Sequence, residues 1–228
     1  MTLQKGESVL RLSVRGSVDG IMLGDTADRL GTFEQPVAIA ASDENTLFVA
    51  ERETKKIKRF DVATKATTDI VSSEYSVEEL LFTDGALFWT SYAGVKRTTP
   101  SGGDVLPLAS EHAASMVAKD GRLYYLASNV VRSVPLDGTG ASRRETGWLG
   151  HDTPNSGLTN VDAFGFDGAT LVAVQNKTFY EVTFGGAEPR ALFRAEATDT
   201  FAPTFLRIDA QRYVWPSPPG IWSAPRPI

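Results

Sequence analysis

Apolar residues in this chain come in short runs, each closed by a turn signal, and no stretch keeps a helical period. Leu80–Phe82 and Leu171–Val174 are typical. Runs this short make strands and are too short to cross a bilayer as helices. One phrase recurs: a short apolar strand, a turn built on aspartate, then an anchor residue that opens a second apolar strand. Its copies read Ile39-Ala-Ala-Ser-Asp-Glu-Asn-Thr-Leu47-Phe-Val, Leu81-Phe-Thr-Asp84-Gly85-Ala-Leu87-Phe-Trp and Met116-Val-Ala-Lys-Asp120-Gly121-Arg-Leu123-Tyr-Tyr. Two more follow, Phe164-Gly-Phe-Asp167-Gly168-Ala-Thr-Leu171-Val-Ala and the weaker Leu206-Arg-Ile-Asp209-Ala-Gln-Arg-Tyr213-Val-Trp.

The anchors Leu47, Leu87, Leu123, Leu171 and Tyr213 are spaced by 40, 36, 48 and 42 residues, the length of one four-stranded propeller blade. Asp-Gly suits the tight turn of a hairpin, whose central residues need positive φ; glycine adopts it without steric cost and aspartate tolerates it. A third strand follows each anchor: Ile57–Phe60, Val95–Thr98, Val131–Val134, Phe179–Val182 and Ile221–Ala224. Fourth strands are expected at Thr67–Val71, Val105–Ala109, Arg143–Thr146 and Arg190–Phe193. Short strands at even spacing with turns between them make an all-β protein. A two-sheet sandwich also has many short strands, but its strands do not repeat in register, whereas blades do. The expected fold is therefore a single all-β domain over residues 1–228, a β-propeller of about five four-stranded blades.

The fifth copy runs out before it supplies a fourth strand, while Val9–Val14 and Val18–Leu23 read as strand, turn, strand ahead of the first blade. An open ring leaves an unpaired edge. Residues 8–23 are accordingly expected to pair with the C-terminal blade, residues 200–228, and tie the ring shut. If both N-terminal strands form a blade of their own, the ring has six.

Composition adds exclusions. With a formal charge of −5 and pI near 5.2, the chain lacks the basic footprint of a nucleic-acid binder. No segment suggests a membrane partner, and a monomer is expected. It has no cysteine, so disulfides and thiolate metal sites are out. Met1–Leu12 carries Lys5, Glu7 and Arg11 and no signal-peptide core. The expected compartment is the cytoplasm if Met1 is the natural start, and otherwise that of an exported domain with its leader removed. No nucleophile elbow, phosphate loop, dinucleotide fingerprint or His-Glu-x-x-His occurs.

The first blade, Phe33-Glu-Gln-Pro36-Val-Ala-Ile-Ala-Ala…Leu47-Phe-Val-Ala-Glu51…Lys56-Ile-Lys-Arg-Phe60, resembles NHL-type propeller repeats. Later blades, with Asp84-Gly-Ala-Leu-Phe-Trp89, look more like bacterial propeller repeats of unassigned activity. The likeness covers roughly residues 33–224 and implies a scaffold rather than a chemistry.

In a propeller, the loops from a fourth strand to the next blade and those between second and third strands open at the same end. The ligand-face candidates by that register are Tyr75, Tyr92, His112, Trp148, His151 and Asn155. Both histidines fall there; imidazole is a common metal ligand, but no partner spacing recurs, so exposed loop residues explain them better than a metal site does. Residues 147–158 form the longest insertion, and long loops on rigid scaffolds often bind. Lys55–Arg59 is the one basic cluster and reads as a solvated edge. The leading expectation is a non-enzymatic binding or interaction module for an unknown protein or small-molecule ligand, without a cofactor. The alternative rests on a resemblance to lactonase-type propellers, which hold a divalent cation at the channel mouth. It would place calcium on Glu34, Glu78, Asn160 and Asp162, oxygen donors of the right type. Stabilisation by calcium separates the two.

Overall fold

The computed structural model describes residues 8–17, 20–147, 161–175, 177–184, 189–195, 206–208, 212–217 and 220–225. All regular structure among them is strand. The chain divides into two compact units, Met1–Pro107 and Leu108–Ile228. The first opens with a hairpin of β1 (Ser8–Ser17) and β2 (Gly20–Thr32). Two four-stranded sheets follow in meander order, β3 (Pro36–Ala41), β4 (Thr46–Glu51), β5 (Lys56–Asp61), β6 (Thr67–Val71), then β7 (Val77–Thr83), β8 (Ala86–Ser91), β9 (Gly94–Thr98), β10 (Leu106–Ala109). The second unit continues with β11 (Met116–Lys119), β12 (Arg122–Ala127), β13 (Val130–Pro135), β14 (Arg143–Arg144), then β15 (Ala163–Asp167), β16 (Thr170–Gln175), β17 (Thr178–Val182), β18 (Arg190–Arg194). Its last sheet, among the described residues, has three strands: β19 (Arg207–Ile208), β20 (Arg212–Ser217) and β21 (Gly220–Pro225).

The expected blades are present, with each anchor on the second strand of its sheet. The N-terminal strands run longer than expected, and their observed partners are each other, from Ser8 opposite Thr32 to Ser17 opposite Gly20.

Second strands explain why the sequence reads as continuous apolar runs. β4 and β8 are buried at every residue, because both faces of each are covered. In β4, Phe48 and Ala50 pack toward the next blade with Ile57, Leu80, Leu87 and Trp89. Leu47 and Val49 pack the opposite way with Phe33 and Phe60. In the second unit, Tyr124 and Leu126 of β12 meet Leu171 and Ala173 of β16, while Val172 and Val174 turn toward Leu206, Tyr213 and Trp215. In both units the anchor faces the preceding neighbour and the next residue faces the following one. Period-two alternation with both faces buried is what stacked blades require. Each fully buried Leu or Phe contributes about 1.5–3 kcal/mol.

Two of the Asp-Gly turns take the expected conformation: Asp84–Gly85 (φ 49° and 69°) and Asp120–Gly121 (φ 48° and 72°) both lie in the left-handed region, as a type I′ turn demands. The fourth copy differs by one residue. Asp167 ends β15 opposite Thr170, so the loop is Gly168-Ala169, with Gly168 at φ 59°. The Asp167 carboxylate instead accepts the Tyr213 hydroxyl at 2.9 Å, tying this sheet to the next.

The fourth strand expected at Arg143–Thr146 shortens to Arg143–Arg144 because its end bonds differently to the third strand. The Val131 carbonyl accepts from both Glu145 and Thr146 amides (2.9 and 3.3 Å). The Val131 amide donates to the Thr146 hydroxyl at 3.0 Å rather than to a backbone carbonyl.

Candidate functional site

The connections between sheets meet the turns between second and third strands. This is the end of the blades where a site was expected. In the first unit the Glu74 amide donates to the Lys55 carbonyl at 2.9 Å, and the Arg52 amide to the Gln35 carbonyl at 3.1 Å. In the second unit the Val161 amide donates to Asn129 Oδ1 at 2.9 Å, and the Ala195 amide to the Lys177 carbonyl at 2.8 Å. Lys55, Asn129 and Lys177 occupy one blade position, just before the third strand, and all have left-handed backbones (φ 57°, 61° and 68°). That conformation turns the carbonyl or side chain outward to catch the passing linker.

Carboxylates fasten the same loops from beneath. Glu51, its side chain fully buried, ends the apolar run of β4. It is paired with Lys58 Nζ at 3.0 Å, accepts from the Glu34 amide at 2.9 Å and from the Thr54 hydroxyl at 2.5 Å. Glu74, also buried, takes Lys96 Nζ on both oxygens (3.0 and 2.8 Å). Glu111 pairs with Arg132 Nε at 2.7 Å and accepts from the Tyr125 hydroxyl at 2.7 Å. Lys58, Lys96 and Arg132 occupy equivalent places on third strands, opposite Val49, Trp89 and Tyr125. Burial pushes the Tyr125 hydroxyl up to about 12, and its bond to Glu111 adds to the rise. Burial alone would lift the Glu111 carboxyl, but the Tyr125 hydroxyl, backbone amides and Arg132 outweigh it and hold it below its ordinary value.

These pairs correct the reading of Lys55–Arg59 as one solvated edge. Lys58 reaches the buried Glu51, and Lys56 pairs with exposed Asp69 at 2.6 Å. The Asp69 contact, and more weakly Glu51 and Glu34, raise the Lys56 ammonium. Glu51 and Glu74 were missed as organising residues; an acid closing an otherwise apolar strand was the available signal for Glu51.

Of the expected ligand-face residues, Tyr75 is 59 % exposed and Tyr92 is 74 % exposed. Lys55 Nζ lies 4.5 Å from the Tyr75 ring centroid, a cation–π contact. Tyr92 sits in the β8–β9 turn, which Ser91 Oγ braces by accepting the Ala93 amide at 3.2 Å. His112 is exposed beside Glu111. Trp148, His151 and Asn155 lie outside the described residues.

The four oxygen donors divide similarly. Asn160 lies outside the described residues. Glu34 is exposed next to Gln35 (φ 50°). Glu78 is exposed at a bulge between Val77 and Glu79. Asp162 is half-buried in the second unit, its amide donating to the Val174 carbonyl at 2.8 Å. Register puts Glu78 and Asp162 at the same position of their blades. Among the described residues, no three His, Cys, Asp or Glu side chains gather as a metal-ligand set.

Comparison with solved structures shows the fold. The extracellular domain of a hybrid two-component system from B. thetaiotaomicron is similar over 95 % of this chain at 12 % identity, with a TM-score of 0.66. A chain of a nidogen/laminin complex is similar over 93 % at 14 % identity, TM-score 0.68, and 83 % of that chain is covered. The computationally designed Ika8 protein matches over 98 %, at 16 % identity and TM-score 0.61, with 72 % of its own length covered. The chain spans only 32 % of the B. thetaiotaomicron domain. The fold is of the β-propeller type. No protein-family model and no curated protein matches the chain.

Proposed function

We propose that this chain is a non-enzymatic, protein-interaction β-propeller that engages its partner through the loop end carrying Tyr75 and Tyr92. The carrying observation is that two tyrosines stand largely exposed on ordered loops, Tyr75 on the linker held by the Glu74–Lys96 pair and Tyr92 in the turn braced by Ser91 Oγ. Tyrosine and arginine dominate binding hot spots, and an ordered loop loses little entropy on binding. One similar chain was solved in a nidogen/laminin complex, which accords with a scaffold used for protein contacts. The NHL-type character of the first blade belongs to this reading, as does closure of one domain, residues 1–228, by pairing of residues 8–23 with residues 200–228. Nothing in the described residues favours the calcium-dependent lactonase alternative.

The test is chemical cross-linking of the tagged chain in cells of its source, read by quantitative mass spectrometry. A variant carrying Tyr75→Ala and Tyr92→Ala should lose the partner set captured by the wild type while keeping its melting temperature. An identical partner set for both chains would refute the assignment to this end.

A further inference from the structure

We infer that the loop end of residues 1–107 recognises an acidic polypeptide segment, with Tyr75 as its apolar anchor and Lys55 and Arg52 as its charge partners. The inference deepens the interaction reading above and rests on it.

Two independent observations carry it. The first is conformational. Lys55, Ser73 and Ser76 all hold left-handed backbones (φ 57°, 63° and 53°). A left-handed backbone is sterically unfavourable for a residue other than glycine. Such residues bracket Tyr75 on the linker and supply the cation over its ring. The strain is held by the Glu74 amide on the Lys55 carbonyl and by the Glu74–Lys96 pair. Backbone strain maintained by surrounding contacts marks pre-organisation at ligand clamps; here its visible product is the presentation of one tyrosine.

The second is the charge balance of that end. Lys58 is matched by Glu51, Lys96 by Glu74 and Lys56 by Asp69. Glu34 also lies close enough to Lys56 to favour its charged form. Lys55 and Arg52 have no carboxylate partner among the described residues, and Glu53 is the one acid between them. Arg52 and Lys55 are therefore the cations of this loop left for an incoming carboxylate, beside the exposed acids Glu34 and Glu53. Lys55 contacts the tyrosine face, so a carboxylate reaching it comes to lie at the rim of an aromatic surface. An apolar side chain next to an acid in a polypeptide fits both features. A nucleic acid needs a broader basic footprint than these two cations provide.

The probe is a phage-displayed library of random dodecapeptides selected on the immobilised full chain, with the winners synthesised and their affinities measured by fluorescence anisotropy. Selected peptides should be enriched in aspartate and glutamate beside an apolar residue. Tyr75→Ala should weaken them by about 30-fold or more, the size of a hot-spot loss. Lys55→Gln, which keeps the stem and the backbone bond to Glu74, should weaken them by roughly 3–10-fold, and added salt should do the same. Lys65→Gln, whose ammonium lies over Phe60, should change nothing. Peptides that need Tyr75 but show no acidic enrichment and no loss with Lys55→Gln would overturn the acidic-segment inference and leave the loop-end reading intact. Peptides indifferent to both Tyr75→Ala and Tyr92→Ala, or no selected peptide at all, would overturn both.

Discussion

Replacing Glu51 by alanine tests whether a buried carboxylate organises the loop end. Its two oxygens serve three donors: Lys58 Nζ at 3.0 Å, the Thr54 hydroxyl at 2.5 Å and the Glu34 amide at 2.9 Å. With the glutamate side chain fully buried and that of Lys58 20 % exposed, truncation leaves a cation only partly able to find water. An unsatisfied buried donor costs about 1–3 kcal/mol, and breaking a buried pair about 3–5 kcal/mol. The partial exposure of Lys58 places the expected loss near the low end, about 3 kcal/mol. The same substitution on an exposed pair is the internal control. Lys56–Asp69, with both side chains more than a third exposed, is screened by solvent and contributes little. Urea unfolding followed by far-ultraviolet circular dichroism should show Glu51→Ala moving the midpoint several times further than Lys56→Ala. Adding Lys58→Met to Glu51→Leu should recover much of the loss, because an apolar pair of similar volume leaves no stranded charge. Equal shifts for Glu51→Ala and Lys56→Ala, or no recovery in the double variant, would refute the organising role.

Three further expectations can be checked with the same protein. Gly102→Ala should destabilise by about 2–4 kcal/mol, since φ +83° disfavours a side chain and the new Cβ would stand 2.8 Å from the Ile70 carbonyl oxygen. Gly121→Ala, left-handed but with open space around it, should cost only about 1 kcal/mol, and equal costs in a denaturation series would contradict this. Tyr125, neutral in the fold with its hydroxyl pushed up to about 12, contributes stability that is complete below the ordinary tyrosine value near 10. That contribution is lost as pH rises toward 12. An absorbance titration should therefore show one tyrosine ionising about two pH units late, and Tyr125→Phe should abolish that late step. Deleting residues 1–19 should open the proposed ring at the C-terminal blade and speed amide exchange of residues 220–225, the edge strand of that sheet, by about tenfold or more. Unchanged protection there would refute closure by this segment.

The strands and most turns were legible because their determinants are local. An anchor leucine followed by apolar residues needs only the two-residue period and neighbours on both faces. Asp84–Gly85 and Asp120–Gly121 need only residues that accept positive φ. Where a distant partner decides, the reading missed. Asp167 was expected in the turn, but it ends the strand and accepts from Tyr213, 46 residues later. Arg143–Thr146 was expected as a full strand, but Thr146 lends its hydroxyl to the Val131 amide and cuts the ladder short.

The candidate site was legible in its location and opaque in its mechanics, for a related reason. Register alone places Tyr75 and Tyr92 in connections at one end of the blades, and their exposure follows. What holds them is carried by Ser73, Ser76 and Lys55, whose left-handed backbones no local composition announces, because serine and lysine seldom adopt that conformation. The conformation is imposed by an amide of one linker binding a carbonyl of the neighbouring hairpin, a bond made only once adjacent strands have paired. Glu74 and Lys96 are 22 residues apart and meet for the same reason. The loop end is thus a product of blade formation, so a variant that weakens Glu74–Lys96 should disturb the presentation of Tyr75 before it disturbs the sheets.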